Sequence, residues 1–240
     1  DPALDALEAA ALEVNHDIRI AMARLAQARA VFDDTRLDRY PTVAAGASVD
    51  RREQAQPGFS DAPIDTTTYR AGFDAVWELD LFGRVRSAVR AAAADAGAFE
   101  ASLDDVRVLV AAEVSRAYFE LRGLQPRRGV AECSRESQRR ALRLTEVRRD
   151  AGFGETFDVA SASARVAAIE ASLPPLWSAI AAREHRLAVL TGARPGALAV
   201  DVSPRAYPPL AKALPVGDPA ELLKQRADVR AAERRLAGAA

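Results

Sequence analysis

Thr67-Thr-Tyr-Arg-Ala-Gly-Phe-Asp-Ala-Val-Trp-Glu-Leu-Asp-Leu81 alternates two chemistries residue by residue. The odd positions, Thr67, Tyr69, Ala71, Phe73, Ala75, Trp77, Leu79 and Leu81, are apolar or aromatic apart from the threonine. The even positions, Thr68, Arg70, Gly72, Asp74, Val76, Glu78 and Asp80, are mostly polar or charged. Side chains of an extended chain point to opposite faces in turn, so this period of two predicts a strand over 67–81 with one apolar and one polar face. Gly83 marks the turn out of it. Upstream, Val43, Ala45, Ala47 and Val49 share a face with the same period over 42–51, and residues 54–66 are expected to be a loop, broken by Pro57, Gly58 and Pro63.

The remainder is helical in period. Val14, Ile18, Ala21, Leu25, Ala28 and Phe32 step by four and three within a helix expected over 5–39, which Tyr40-Pro41 ends. Downstream, Val85, Val89, Ala92, Ala96, Phe99, Leu103, Val106, Val110, Val114, Ala117, Leu121 and Leu124 define a helix over 84–150. Their mean step is about 3.5 residues, the coiled-coil value. Pro126 is expected to interrupt this helix. Asp150-Ala-Gly-Phe-Gly-Glu-Thr-Phe157 then supplies two glycines for a reversal, with Thr156 a candidate N-cap. A returning helix follows over 157–191, with Val159, Ala162, Val166, Ile169, Leu173, Leu176 and Ile180 as its seam, a bend expected at Pro174-Pro175 and a stop at Gly192. At about 1.5 Å per residue the long helix spans about 100 Å and each 35-residue helix about 52 Å, so two short helices stacked end to end would match it. Its apolar stripe must be covered, and packing antiparallel to 157–191 and against 5–39 would do so.

Residues 192–220 hold six prolines and form a connector, after which the beginning returns. Asp17, Arg19, Ala21, Arg24, Leu25 and Ala28 recur as Asp228, Arg230, Ala232, Arg235, Leu236 and Ala239 at a constant offset of 211, with Ile18 conservatively replaced by Val229. The expectation is a duplicated unit of about 210 residues, of which this chain holds one copy and the start of a second. Two strands per copy give four per chain, fewer than the eight or so a closed barrel needs, so several chains would share one. An outward row of Tyr69, Phe73 and Trp77 and an inward row of Arg70, Asp74 and Glu78 suit lipid outside and water inside.

Composition removes other classes. Thirty-three basic and 34 acidic residues leave a net charge of −1, without the basic excess of a nucleic-acid binder. One cysteine, Cys133, and two histidines, His16 and His185, leave no disulfide framework and no His/Cys metal centre. No run approaches the ~18 apolar residues of a membrane helix, which says nothing of a β-barrel. Glu113 and Glu120 lie seven apart with no second catalytic partner type nearby, and Gly152 and Gly154 lack the preceding strand and following lysine of a phosphate loop. No catalytic residue, cofactor or metal is expected. Between 122 and 149, nine arginines stand against Glu132, Glu136 and Glu146, a local surplus of six positive charges that fits a nucleic-acid or adaptor-docking patch or, more commonly, a solvated helix face.

The order of elements, with Asn15-His-Asp-Ile-Arg-Ile-Ala, Phe73-Asp-Ala-Val-Trp-Glu-Leu-Asp-Leu-Phe-Gly-Arg-Val-Arg, Ala111-Ala-Glu-Val-Ser-Arg-Ala-Tyr-Phe-Glu-Leu-Arg and Ala151-Gly-Phe-Gly-Glu-Thr-Phe-Asp-Val, resembles the TolC-like outer-membrane efflux channels, nearest their NodT branch. The resemblance implies a mainly α chain of long antiparallel coiled-coil helices of the α-barrel type, plus two strands of an outer-membrane β-barrel. Its parts would be a first helical segment over 1–39, a barrel hairpin over 40–82, a periplasmic helical hairpin over 83–191, the connector over 192–220, and a second repeat starting at 221–240. It further implies a homotrimer in outer-membrane lipid that meets a periplasmic adaptor and an inner-membrane pump of the RND type and exports small molecules passively. Gly152, Phe153, Gly154, Glu155 and Thr156 would be the tip that docks the adaptor. Members of this branch carry a lipid-modified N-terminal cysteine, a position Cys133 does not occupy. A periplasmic coiled-coil adaptor is the alternative, but adaptors flank their helical hairpin with lipoyl-like halves, not with a lipid-suited strand pair.

Overall fold

The structure, a computed structural model, describes residues 1–56, 60–205 and 218–240. In order, the elements are α1 (Pro2–Val14), α2 (His16–Leu37), β1 (Thr42–Gln56), β2 (Ser60–Val76), α3 (Arg84–Asp150), α4 (Thr156–Leu190), α5 (Pro219–Gln225) and α6 (Ala227–Ala239). They fall into two compact units, one of Asp1–Ala23 with Ser102–Asp228, the other of Arg24–Ala101 with Val229–Ala240.

In the first unit α3 runs antiparallel to both α1 and α4. Tyr118 Oη donates to Asp1 Oδ2 at 2.6 Å and Ser115 Oγ to Glu8 Oε1 at 2.6 Å, which sets α1. Arg186 pairs with Glu113 at 3.1 Å, Arg183 with Glu120 at 3.0 Å, and Arg139 with Glu170, which sets α4. The core holds much of the expected seam: Val110, Val114, Ala117 and Leu121 from α3 and Ala162, Val166, Leu173 and Ile180 from α4 are buried, whereas from α1 it is Leu7 and Ala11 that are buried, and the expected Val14 and Phe99 are exposed. Because α1 and the end of α4 share residues 113–120 of α3, the two overlap there; the expected meeting of short helices end to end is corrected accordingly.

The single helix expected over 5–39 is two helices. Asn15 caps α1 in an extended conformation, with φ −60° and ψ 133°, and its Oδ1 accepts from Asp17 N at 2.8 Å as the cap of α2. Its Nδ2 donates to the Leu190 carbonyl at 3.1 Å, tying the break to the last turn of α4. Both prolines in α4 and Pro126 in α3 lie inside continuous helix, so none of them interrupts it. An internal proline costs about 3 kcal/mol or more, but burial of one large side chain is worth about 1.5–3 kcal/mol. Tyr118, Leu121 and Leu173 are all buried within eight residues of these prolines, so packing decides the outcome.

The break is duplicated. Arg226 caps α5 with φ −62° and ψ 125°, the conformation of Asn15, at the same offset of 211. Asp218-Pro219-Ala220 starts α5 as Asp1-Pro2-Ala3 starts α1, each aspartate accepting from the alanine amide two residues on. α5 has seven residues against thirteen in α1, so the second copy lacks six residues before the break.

In the second unit, α2 and α6 both run antiparallel to α3. Arg29 reaches Glu100 at 3.3 Å, while Arg234 covers Gly97. Gly238 lies so near that an added Cβ would come within 3.0 Å of Asp95 Oδ1 and 3.4 Å of the Ala91 carbonyl. The hairpin pairs β1 and β2 antiparallel, from Thr42↔Val76 through Ala45↔Phe73, Val49↔Tyr69 and Arg51↔Thr67 to Gln54↔Ile64 and Gln56↔Ser60. It is longer at the turn end and shorter at the helix end than expected. Most of the loop placed at 54–66 is paired strand, because register set by the apolar stretch propagates into polar sequence, where Arg51 and Asp65 pair across it. Pro63 falls in the irregular stretch where the register shifts between Gln54 and Gln56; Pro57 and Gly58 lie outside the described residues, as does 206–217 of the connector. At the other end β2 stops at Val76, so Trp77 to Leu81 leave the ladder.

Candidate functional site

Two places gather the residues singled out from the sequence. The first is the hairpin. Directly opposed residues share a face, so Val43, Ala45, Ala47 and Val49 join Ala75, Phe73, Ala71 and Tyr69 in one apolar row, and Ala44, Gly46 and Ser48 join Asp74, Gly72 and Arg70 in the other. Nothing described in the chain covers either row: Phe73 is 83% exposed, and Tyr69, Val43, Val49, Arg70 and Asp74 are exposed as well. Trp77 and Glu78 depart from the rows expected of them. The Trp77 indole Nε1 donates to the Arg39 carbonyl at 3.3 Å, and the Glu78 carboxylate accepts from Arg84 Nε at 2.6 Å in a two-pronged pair.

The second place is the turn between α3 and α4. Gly152 has φ +80°, the left-handed conformation that glycine adopts without steric cost. Its N–H donates to the Arg149 carbonyl at 2.9 Å and the Phe153 N–H to the Arg148 carbonyl at 2.8 Å. This is a Schellman ending, which satisfies carbonyls the helix would otherwise leave open. Gly154 serves a different purpose: a Cβ there would meet Arg149 N at 3.1 Å, so the residue is glycine because the chain passes against the end of α3. The N-cap of α4 is Glu155, not the expected Thr156, which is the first helical residue; the Glu155 N–H donates to Asp158 Oδ2 at 3.4 Å. The turn closes its own backbone bonds, leaving an exposed apolar end: Phe153 is 80% exposed, and Phe157, Val147 and Leu144 are also exposed.

The profile of the outer membrane efflux protein family matches residues 7–193. The chain belongs to the outer membrane efflux protein family. It is 34% identical over its whole length to the solvent efflux pump outer membrane protein SrpC of Pseudomonas putida, covering 51% of that protein. It superposes on the solved outer-membrane channel OprN with a TM-score of 0.89 at 46% identity, covering 99% of this chain and 54% of OprN. On the MtrE outer membrane channel of Neisseria gonorrhoeae the TM-score is 0.78 at 28% identity, over 99% of this chain and 53% of that one. The chain thus spans about half the length of the relatives it matches. A mainly helical chain with one strand hairpin is the fold these channels share, and the outer membrane is the location of this family member.

Other expected residues have structural work. Glu113 accepts from Arg116 at 2.7 Å and from Arg186 at 3.1 Å. The Arg116 hydrogen bond, aided by Arg186, holds its carboxyl below the usual range although burial pushes the other way. Glu113 thus bridges α3 to α4, and Glu120 does the same through Arg183. The sign follows from linkage: a carboxyl depressed in the folded state contributes stability above the ordinary carboxylate range and loses it as pH falls through the folded value. Glu113→Gln is therefore expected to lower the unfolding midpoint at pH 7 and to cost progressively less as the pH falls below the usual carboxylate range. An equal loss at pH 7 and below that range, read by circular dichroism, would contradict the bridge.

The arginine-rich stretch is not uniformly a solvated face. Arg122 is buried at 1% exposure, while Arg128, Arg143 and Arg149 pair with Glu132, Glu136 and Asp150. His16, His185 and Cys133 are exposed. Among the described residues no group of His, Cys, Asp and Glu is placed to hold a metal. Three functional positions escaped the sequence reading. Asn15 carried a signal, since Asn followed by Asp two residues on is a cap pattern; Asp80 and Arg122 look like ordinary members of a strand and a basic helix.

Proposed function

We propose that the full-length protein is the outer-membrane channel of a tripartite efflux system and carries small toxic molecules passively from periplasm to exterior. The observation that carries this reading is the hairpin, apolar on one face, polar on the other and bare on both. Two strands cannot bury such a face. With a second copy of the unit, three chains supply twelve strands and close a barrel, with Tyr69 and Phe73 towards lipid and Arg70 and Asp74 towards the water-filled lumen. Trp77 and Glu78, beyond the ladder and held by the Arg39 carbonyl and Arg84, are left out of these rows. The relatives' names, a solvent efflux pump protein and an antibiotic efflux pump protein, support solvents and antibiotics as the class exported. The chain has no enzymatic, cofactor-dependent or nucleic-acid role in this reading. Nitroxide labels in the full-length protein in lipid test it. Sites 69 and 73 should relax with oxygen and sites 70 and 74 with a water-soluble nickel chelate; chelate access at 73 would overturn the assignment.

The turn at 152–156 is the end that meets a periplasmic adaptor, itself coupled to an inner-membrane pump. Support comes from its exposed Phe153 and Phe157 on a turn whose backbone bonds are already closed. A side chain at Gly154 would strain the turn itself, so Phe153 is the residue whose replacement reports on docking. Phe153→Asp is expected to reduce export and adaptor crosslinking several-fold while leaving the trimer intact. Wild-type efflux and crosslinking in that variant would make the turn a mere connector.

A further inference from the structure

Between the last ladder pair, Thr42↔Val76, and the start of α3 at Arg84, the chain carries Trp77-Glu-Leu-Asp-Leu-Phe-Gly83. Its polar side chains are all engaged with protein. Trp77 is tied to the Arg39 carbonyl and Glu78 to Arg84. Asp80 accepts from Val85 N at 3.1 Å, from Arg86 N at 3.0 Å and from Arg86 Nε at 3.1 Å, so it caps the first turn of α3. Gly83, with φ +85°, makes the turn that brings Asp80 over that helix end. The apolar side chains are left outside: Leu79 and Leu81 are exposed, and Phe82 is 99% exposed, more than any other large apolar residue described.

We propose that Leu79, Leu81 and Phe82 form a wedge inserted in the membrane at the boundary between headgroups and acyl chains, on the side from which α3 departs, and that Asp80 holds the wedge rigidly to α3. The proposal rests on the lipid-facing reading of Tyr69 and Phe73. Leu79, Leu81 and Phe82 follow directly on the strand that carries those residues, at the end of the ladder, where the chain turns and the Leu81 N–H donates to the Leu79 carbonyl at 2.8 Å. The depth follows from the backbone. The ladder has stopped at Val76, and unpaired N–H and C=O groups are too costly for the hydrocarbon core. At the headgroup boundary, water satisfies them while the side chains reach the acyl chains, the arrangement that suits amphipathic aromatic segments at membrane surfaces.

Nitroxide labels at 81 and 82 of the full-length protein, reconstituted in phosphatidylethanolamine and phosphatidylglycerol vesicles with Cys133→Ser, test this against labels at Phe73 and Ser87. The oxygen-to-chelate accessibility ratio at both 81 and 82 should fall between a high value at 73 and a value at 87 several-fold lower than theirs. If 73 is lipid-exposed while 81 and 82 match 87, the segment lies in water and the proposal fails although the barrel stands. If 73 is lipid-exposed while 81 and 82 exclude both reagents, a neighbouring protomer covers them and it fails again. Chelate access at 73 overturns the lipid-facing row and the wedge together. Asp80→Ala adds a second readout: the label at 82 should gain mobility while the one at 73 keeps its spectrum, and unchanged mobility at 82 would remove Asp80 from the joint.

Discussion

Replacing Arg122 by alanine is expected to lower the thermal midpoint of the full-length protein by about 10 °C, from a loss of about 3–5 kcal/mol. The guanidinium is buried, and among the described residues no carboxylate pairs with it. Its partners are carbonyl and amide oxygens and a ring: Nη1 donates to the Ser203 carbonyl, more weakly to the Val202 carbonyl at 3.5 Å, and to Gln125 Oε1 at 3.3 Å, and the Tyr118 ring centroid lies 4.8 Å from Cζ. Gln125 Nε2 donates to the same Val202 carbonyl at 2.7 Å. Arg122 therefore anchors the start of the connector on α3, one turn before Pro126. Alanine leaves a void in the core and releases residues 202–203. Methionine fills most of the volume and removes the cost of burying a charge, so Arg122→Met should lose less than half as much. A melt within a degree or so of wild type for Arg122→Ala would show that the anchor carries no stability.

A second large effect is expected at Phe73. Arg or Lys on the lipid face of a β-barrel costs about 2–4 kcal/mol at the midplane, and each of three protomers would bear it. Phe73→Arg in the full-length protein should abolish the heat-resistant trimer on semi-native gels and empty the outer-membrane fraction. Phe73→Leu keeps the row apolar and should assemble, and Asp74→Asn, one residue away on the other face, should assemble equally well. Wild-type assembly of Phe73→Arg would place that face in water.

The elements that were legible in the sequence are those whose signal repeats. The alternation over 69–76 and the 3.5-residue seams of α3 and α4 each average over many residues, so the buried faces emerge without knowledge of the partner. The same holds for the 211-residue offset, which anticipated the start of a second copy as a single helix, the break at Arg226 being as invisible as the one at Asn15. Val14 to Ile18 reads in sequence as an ordinary seam step of four, whereas the buried line runs Leu7, Ala11, Asn15, Ile18 and leaves Val14 exposed, so the period gave no sign of the cap at Asn15. The site was legible as two faces and a glycine turn, and the division of labour within that turn was not. Gly152 is required by its own φ, Gly154 by the backbone of another helix end, and only the first reason is local.

Local pattern alone placed the paired stretches 42–51 and 67–76, the long helices over 84–150 and 157–190, and the apolar face of the hairpin. Tertiary structure decided whatever depended on a partner distant in sequence. Pro126, Pro174 and Pro175 stay inside helices because buried neighbours outweigh a local penalty. Residues 51–54 and 64–67 are strand because each has the other to pair with. Arg122 is a core residue because Tyr118 and the 202–203 carbonyls converge on it from other turns of the chain. Asp80 caps α3, instead of extending the polar row of β2, because the turn at Gly83 brings it over the first helical amides. Propensity and periodicity sum over neighbours in sequence, whereas these outcomes depend on neighbours in space, which appear only when the chain has folded.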